Sequence, residues 1–252
     1  MHRFIVPSTA GESDRILLDA KESHHARNVL RVKLGEAVEV LDGKGAKFRA
    51  VVAGFEETRV ILSVDRQTHQ DVPGIQVTLA VAVIKPERME WMLEKCCELG
   101  VREWIPVLTE RSVIKLSRER WQAKLGRWRK IAAESCKQSG QARVPDLREP
   151  TPFNDMLKEA GHYDGAWIPT LAAPGPDLRK ALAAKPKAAR ALFLIGPEGD
   201  FTEKEAKKAV LAGILPVSLG ASILRAETAA LYTLSAAHFF YGSSAVSESK
   251  DK

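Results

Sequence analysis

Apolar and polar residues alternate along the first part of the chain. The apolar side chains fall at every second position in three short runs, which are Val38 and Val40, then Phe48, Ala50 and Val52, then Val60, Leu62 and Val64. A period of two predicts strands with one buried face, and the pair Asp42-Gly43 between the first two runs is a hairpin signal. The first seventy residues are therefore predicted to form a small antiparallel barrel, with a short helix over 23–30.

The pattern changes after a predicted linker at 71–74. Apolar segments now alternate with amphipathic segments, and we predict strands at 76–84, 104–108, 165–169, 191–195 and 216–219. A helix is predicted over 88–99, with Gly100 at its C-terminal cap. This alternation is typical of a mostly parallel sheet with helices on both faces. We therefore predict two domains, residues 1–70 and residues 74–246, the second of the α/β class.

Charge is distributed unevenly along the 252 residues, although 38 basic against 32 acidic residues give a net charge of only +6. From Arg111 to Arg148 there are eleven basic residues and three acidic ones. Such a run is typical of contact with a nucleic-acid backbone, and also of a solvated helix face. Trp121 and Trp128 lie within it, where they either stack on bases or belong to a core.

Several classes of site find no support in the sequence. No apolar stretch reaches the roughly 20 residues that a bilayer span needs. The three cysteines contain no C-x-x-C pair, so we expect buried thiols in a cytoplasmic protein. His24 and His25 lack a nearby cluster of metal-ligand type, so we expect no metal. The glycine-rich turn 42–45 leads into a strand and not a helix, which argues against a nucleotide loop there.

Two glycine loops follow consecutive predicted strands in the second domain. Gly196-Pro197-Glu198-Gly199-Asp200 comes after the strand at 191–195 and precedes a capping box formed by Thr202 and Glu205. Gly220-Ala221-Ser222 comes after the strand at 216–219. Each loop alone is consistent with a simple turn. Their pairing at the carboxyl ends of strands favours a ligand site, because open α/β sheets bind ligands at that edge.

The helix after the second loop is apolar on nearly every side, which predicts burial inside the domain or at a subunit interface. Arg225 and Glu227 stand at its N-terminal end. Charged residues there are costly unless they are paired or face a site. A structural ion pair and a functional role both remain open at this point.

The motifs together resemble the ribosomal RNA small subunit methyltransferase E family, within the knotted SPOUT methyltransferases. The resemblance spans most of the chain and is most specific in two loops. These are Gly196-Pro197-Glu198-Gly199, and Leu219-Gly220 with Ile223-Leu224-Arg225-Ala226-Glu227-Thr228-Ala229. It is also carried by 1–4, 24–25, 29–31, 94–101, 110–112 and 128–145.

The resemblance implies a PUA-like barrel that grips RNA, followed by an α/β domain tied in a trefoil knot. It implies a homodimer that binds S-adenosylmethionine and methylates N3 of a uridine in 16S ribosomal RNA. The implied cofactor-binding residues are Leu171, Ile195, Gly196, Pro197, Glu198, Gly199, Ser218, Leu219, Gly220, Ile223, Leu224, Arg225 and Thr228. The implied RNA-binding residues are His25, Arg27, Arg31, Arg111, Arg129, Lys137 and Arg143.

Methyl transfer to N3 of uracil leaves negative charge on the base, which a fixed cation stabilises. We therefore expect Arg225 to act in catalysis, with Glu198 and Glu227 as the candidates for the base.

Three positions depart from the family pattern. Ser222 and Gln141 stand where arginine is usual, which weakens the expectation of RNA contacts there, and Asp200 replaces a second glycine. Two alternatives stay open: a related SPOUT enzyme for another RNA, such as ribose methylation of transfer RNA, and a non-catalytic RNA-binding factor.

Overall fold

The computed structural model describes residues 1–6, 14–70, 74–112 and 117–242, with the side chains of 66–70 excepted. The predicted linker at 71–74 and the end of the predicted second domain lie largely outside these residues. The chain forms two compact units. The first comprises Met1–Val72 and Arg129–Pro145, and the second comprises Pro73–Trp128 and Asp146–Lys252.

The first unit contains a five-stranded sheet in the order β1-β3-β4-β5-β2. Its strands are β1 (His2–Ile5), β2 (Arg15–Leu17), β3 (Ala37–Leu41), β4 (Ala46–Glu56) and β5 (Arg59–Gln70). The antiparallel prediction holds for β2 to β5, but β1 pairs with β3 in parallel. The predicted helix over 23–30 is instead α1 (Ala20–His24) followed by a π-helical turn (His25–Leu30).

The core of this unit follows the alternation read from the sequence. Val38, Val40, Ala50, Val60 and Leu62 are fully buried, because each points to the same face of the sheet. The hairpin turn is also confirmed. The Asp42 carboxylate accepts hydrogen bonds from the amides of Lys44, Gly45 and Ala46 at 2.7, 2.9 and 2.8 Å, which fixes the turn between β3 and β4.

A distant segment completes the first unit. The long helix α3 (Arg118–Ser139) ends in it, and the Arg3 guanidinium donates to the carbonyl oxygens of Lys137 and Gln138 at 3.2 and 2.9 Å. The amide of Val144 donates to the carbonyl of Gly43 at 3.0 Å. These contacts tie residues more than ninety positions apart, so a local pattern in the sequence does not reveal them.

The second unit is built on a parallel sheet in the order β12-β10-β11-β6-β7-β8, with β9 paired to β7. Its strands are β6 (Gln76–Ala82), β7 (Glu103–Leu108), β8 (Asp146–Leu147), β9 (Thr151–Pro152), β10 (Gly165–Pro169), β11 (Arg190–Ile195) and β12 (Leu215–Val217). The pairings among these strands are parallel, as predicted. The strand predicted at 216–219 is shifted, because Ser218 leaves β12 and bridges Asp177.

Helices surround this sheet. They are α2 (Pro86–Glu98), α4 (Phe153–Lys158), α5 (Leu178–Ala183), α6 (Glu203–Leu211) and α7 (Ala226–Tyr241), with a 3₁₀ turn at Ala160–His162. α7 packs against β6, β11 and α2. Trp121 and Trp128 are buried against each other with ring centres 6.2 Å apart, so they belong to a core and do not face solvent.

Only one side of α7 is buried within the chain. Ala230, Leu234 and Ala237 are fully buried, whereas Tyr232 and Phe239 are exposed, Phe239 by 92% of its surface. The prediction allowed burial inside the domain or at a subunit interface, and the single chain buries one side of the helix. In the part of the chain that the structure describes, none of the helices has the length and apolar character needed to cross a membrane.

Candidate active site

A pocket of about 230 Å³ opens at the carboxyl ends of three neighbouring strands, β11, β10 and β12. The loops after these strands and the first turns of α7 form its wall. The lining residues are Pro169, Thr170, Leu171, Ile195, Gly196, Pro197, Glu198, Gly199, Asp200, Val217, Ser218, Leu219, Gly220, Ser222, Ile223, Leu224, Ala226 and Ala229. The two glycine loops singled out in the sequence thus meet in one cavity.

Eleven of the thirteen residues expected to bind cofactor line this pocket, and Arg225 and Thr228 do not. Both of these side chains are exposed on the single chain. The structure adds seven lining residues to the expected set, which are Pro169, Thr170, Asp200, Val217, Ser222, Ala226 and Ala229. Asp200 and Ser222 belong to the two glycine loops that the sequence predicted as a ligand site. Pro169 ends and Thr170 follows a strand that the sequence predicted, but only the strand order places these two residues beside the glycine loops.

The loop after β11 is held tightly. A Cβ atom on Gly196 would lie 3.0 Å from the ring of Phe201, so a larger residue would press on that buried ring. Asp200 adopts a left-handed backbone, with φ of 61°, a conformation that aspartate tolerates better than most residues. The predicted capping box is confirmed: Thr202 Oγ1 accepts from the Glu205 amide, and the Glu205 carboxylate accepts from the Thr202 amide.

Two arginines contact this same loop. The Arg88 guanidinium, from the first turn of α2, lies 2.5 Å from the Glu198 carboxylate. Arg111, which follows β7, donates to the carbonyl oxygens of Gly199 and Asp200, the latter at 3.3 Å. Arg111 was expected to bind RNA, and in the structure its guanidinium lies against the pocket loop.

The loop after β12 leads into α7. Gly220 adopts φ of +118°, which favours glycine, and its amide donates to Ser218 Oγ at 3.2 Å. Arg225 is the N-cap residue of α7, and its carbonyl accepts from the Ala229 amide at 2.8 Å. Glu227, one position into the helix, is half-buried, and its Oε2 atom is buried without a hydrogen-bond partner among the described residues.

The charged side chains that line the pocket are acidic, namely Glu198 and Asp200. Lysine and arginine are absent from the lining among the residues that the structure describes. The walls combine these carboxylates with apolar side chains and with glycine backbone, whose amides and carbonyls are accessible to a ligand. Within the described ranges, no three His, Cys, Asp or Glu side chains cluster closely enough to hold a metal ion.

Six of the seven residues expected to contact RNA belong to the first unit. Arg31 and Arg129 are exposed, and His25, Arg27 and Arg143 are half-buried. The Arg27 guanidinium lies 5.6 Å from the ring centre of Phe55.

Lys137, the remaining residue of the first unit that was expected to contact RNA, is buried. Only 8% of its surface is exposed, and its ammonium lies 2.9 Å from both Glu22 and Glu134. Burial lowers the pKa of Lys137, but hydrogen bonds to Glu134 and Glu22 outweigh it and raise the pKa overall. Lys137 is therefore charged and already neutralised inside the unit, which corrects its assignment as an RNA contact.

Family models match both parts of the chain. Residues 71–238 match the model described as RNA methyltransferase domain, and residues 18–65 match the model described as RNA methyltransferase PUA domain. The first match alone covers more than half of the chain.

Curated relatives and solved structures agree with these matches. The chain is 34% identical to ribosomal RNA small subunit methyltransferase E of Synechocystis over 85% of this chain and 69% of the relative. The Bacillus subtilis protein of the same name is 29% identical over 94% and 95%. The crystal structure of ribosomal RNA small subunit methyltransferase E from Neisseria gonorrhoeae, bound to S-adenosyl methionine, has a TM-score of 0.85 at 29% identity and covers 96% of this chain and 98% of its own.

The PUA match contains β3, β4 and most of β5 of the first unit. The parallel sheet and its strand-end pocket lie in the region of the methyltransferase match. Sequence, fold and relatives agree over nearly the full length. The chain belongs to the ribosomal RNA small subunit methyltransferase E family of RNA methyltransferases.

Proposed function

We propose that this protein transfers a methyl group from S-adenosylmethionine to N3 of a specific uridine in 16S ribosomal RNA. The observation that carries the proposal is the pocket at the carboxyl ends of β10, β11 and β12, which gathers the glycine loops of the family motif. The names of the Synechocystis and Bacillus subtilis relatives support the small-subunit RNA substrate. The bound ligand named for the Neisseria gonorrhoeae protein supports the cofactor.

The residues of the pocket fit this cofactor. The pocket volume of about 230 Å³ lies below the roughly 300 Å³ at which small-molecule sites begin, so the fit rests on the chemistry of the lining. Ile195, Val217 and Leu224 offer apolar walls for an adenine ring. Glu198 offers a carboxylate to hydroxyl and ammonium groups. An acidic lining also suits a ligand that carries a sulfonium cation, since opposite charges attract in a partly desolvated site.

The chain's own residues supply alignment and electrostatics. When bound, S-adenosylmethionine would supply a methyl group whose bond to sulfur breaks as a nucleophile bonds to the methyl carbon in line, with the neutral thioether as the leaving group. We infer that the glycine loops hold that group still while Arg225, at the start of α7, stabilises negative charge on the uracil oxygens. Glu198 and Glu227 are the candidates to accept the proton from N3.

Basic residues hold the RNA backbone in this proposal. The set is His25, Arg27, Arg31, Arg111, Arg129 and Arg143, without the buried Lys137. The barrel within residues 1–70 grips RNA, and the domain within 74–246 carries the chemistry, with a trefoil knot where its C-terminal loops meet. The segment 129–145 packs in the first unit and so joins the RNA-binding part.

The exposed apolar side of α7 supports a homodimer. Tyr232, Phe239 and Phe240 are exposed on a single chain, and covering such side chains favours association. Sedimentation equilibrium measures this directly, and a monomer at micromolar concentration would refute it. We place the enzyme in the cytoplasm, where its ribosomal substrate is assembled.

Mass-spectrometric mapping of methylated nucleotides tests the function. The protein is incubated with S-adenosylmethionine and either naked 16S RNA or small subunits from cells that lack the enzyme. A single new N3-methyluridine supports the proposal, and the better substrate shows whether free RNA or the assembled subunit is recognised. A methylated ribose or a methylated transfer RNA would replace the proposal with the related SPOUT activity. No incorporation despite cofactor binding would favour a non-catalytic factor.

A further inference from the structure

The side chain of Asp200 joins two loops of the pocket. Its Oδ2 atom accepts from the amide of Leu171 at 2.7 Å. The hydroxyl of Thr170 donates to the same carboxylate, at 2.9 Å from Oδ2 and 3.1 Å from Oδ1. Oδ1 also accepts from the amide of Phe201 at 2.7 Å. One carboxylate therefore connects the loop after β10 to the loop after β11.

The contact extends one residue further through Thr170. While its hydroxyl donates to Asp200, its oxygen accepts from the amide of Ala172 at 3.0 Å. The backbone of 170–172 is thus fixed by a chain of hydrogen bonds that begins at a single carboxylate. Thr170, Leu171 and Asp200 all line the pocket.

The backbone of Asp200 indicates that these hydrogen bonds matter. A φ of 61° is easier for glycine, so aspartate is the less favourable residue for the local conformation. A glycine there would relieve the backbone and lose every side-chain hydrogen bond. Hydrogen bonds to a charged acceptor are among the stronger ones in proteins, so together these bonds outweigh the cost of such a backbone.

We propose that Asp200 is a positioning residue that holds the loop 170–172 against the loop 196–201 and so preforms the cofactor pocket. This inference rests on the proposed function for the identity of the cofactor. A preformed loop loses less conformational freedom when the ligand binds, so affinity rises without a new contact. The carboxylate acts through the loops and not on the reacting atoms. Its loss should therefore affect cofactor affinity much more than the rate at saturation.

Three variants separate the parts of this contact. Asp200→Asn keeps the shape of the side chain, but only one of its two terminal groups accepts a hydrogen bond. The other is an NH₂ group, which then faces a hydrogen-bond donor. Asp200→Gly removes the side chain and suits the backbone. Thr170→Val removes the hydroxyl and the link to Ala172. We expect Asp200→Asn and Asp200→Gly to raise Kd and KM for S-adenosylmethionine at least tenfold, with kcat within about threefold, and Thr170→Val to have a smaller effect in the same direction.

Asp164→Asn is the matched control. The Asp164 carboxylate likewise accepts from two backbone amides, those of Ala189 and Arg190, at 2.9 and 2.8 Å. It stands at the opposite end of the sheet, where β10 and β11 begin. A general loss of stability would weaken cofactor binding equally in both variants, whereas the proposed contact predicts an effect at Asp200 alone.

Calorimetry with S-adenosylmethionine and hydrogen exchange of the ligand-free protein provide independent measurements. The proposal predicts at least tenfold faster exchange at the amides of Leu171 and Ala172 in Asp200→Asn, and wild-type exchange there in Asp164→Asn. Unchanged exchange and unchanged affinity in both Asp200 variants would overturn it. If the wild-type protein fails to bind S-adenosylmethionine, the proposed function is wrong, and the exchange measurement still decides whether Asp200 holds the two loops.

Discussion

The Arg88 guanidinium lies 2.5 Å from the Glu198 carboxylate, so this acidic side chain of the pocket already has a cationic partner. Glu227 differs, because its Oε2 atom is buried and accepts no hydrogen bond from any described residue. A buried oxygen without a partner is rare in proteins and indicates a group that a ligand or a proton completes. Of the two carboxylates proposed as the base, Glu227 is the one with an oxygen that has no hydrogen-bond partner among the described residues.

Glutamine substitutions compare these two candidates directly. Glu227→Gln should lower kcat by a factor of about 10²–10⁴, the usual contribution of a positioned base, and Glu198→Gln by less than tenfold. Single-turnover methylation at saturating cofactor measures both. A larger loss for Glu198→Gln would reverse the assignment.

Arg225 should act on the reacting base and leave cofactor affinity intact, since its side chain does not line the pocket. Arg225→Ala is expected to lower kcat by about 10²–10³, the range for loss of one group that stabilises developing charge. Arg225→Lys, which keeps the charge, should recover part of the rate. Methylation kinetics combined with cofactor calorimetry check this, and an alanine variant with full turnover would remove Arg225 from the mechanism.

Lys137 should contribute to stability rather than to RNA binding. Lys137→Met leaves Glu22 buried without its partner, and breaking a buried ion pair costs about 3–5 kcal/mol. Glu22→Leu should cost less, because Lys137 keeps Glu134. The double variant should lose less than the sum of the single losses. Urea unfolding measures these differences. A stable Lys137→Met protein with weakened RNA binding would restore Lys137 as an RNA contact.

The pair of Arg148 and Glu159 predicts a pH dependence of stability. Hydrogen bonds from the Arg148 guanidinium, at 2.6 and 2.7 Å, lower the pKa of Glu159 against the opposing effect of burial. Its contribution is therefore fully present above the unfolded pKa of about 4.3 and is lost as the pH falls through the lower folded pKa. The pair is partly exposed, so the contribution should stay below about 1 kcal/mol.

Urea unfolding of Glu159→Gln from pH 7 to pH 2 tests this dependence. The variant should be less stable than the wild type at pH 7, and the difference should vanish toward pH 2. A constant difference across that range would show that Glu159 acts through packing and not through its charge.

Local periodicity predicted much of the fold. The alternation at Val38, Val40 and Leu62 identifies strands because one face of each strand is buried within the chain itself. The role of Lys137 could not be predicted in this way. A lysine in a basic run has the same local pattern whether it faces solvent or pairs with Glu22, which is 115 positions away.

Local sequence pattern likewise predicts only part of the candidate site. Gly196 and Gly220 could be found because each follows a recognisable strand. Thr170 could not be placed beside them, because only the strand order brings β10 between β11 and β12. One partner of the Asp200 carboxylate is the backbone amide of Leu171. Nearly every residue type has such an amide, so the identity of residue 171 does not predict the bond.

Calorimetric titration of S-adenosylmethionine into the wild-type protein and Ala229→Leu tests the central claim most directly. Ala229 lines the pocket from the first turn of α7, and a leucine there would occupy the ligand's space while the fold is retained. We predict one cofactor per chain for the wild type, and at least a tenfold weaker affinity for the variant at an unchanged circular dichroism spectrum. Absence of binding to the wild type, or equal affinity of the two proteins, would contradict a cofactor site formed by these loops.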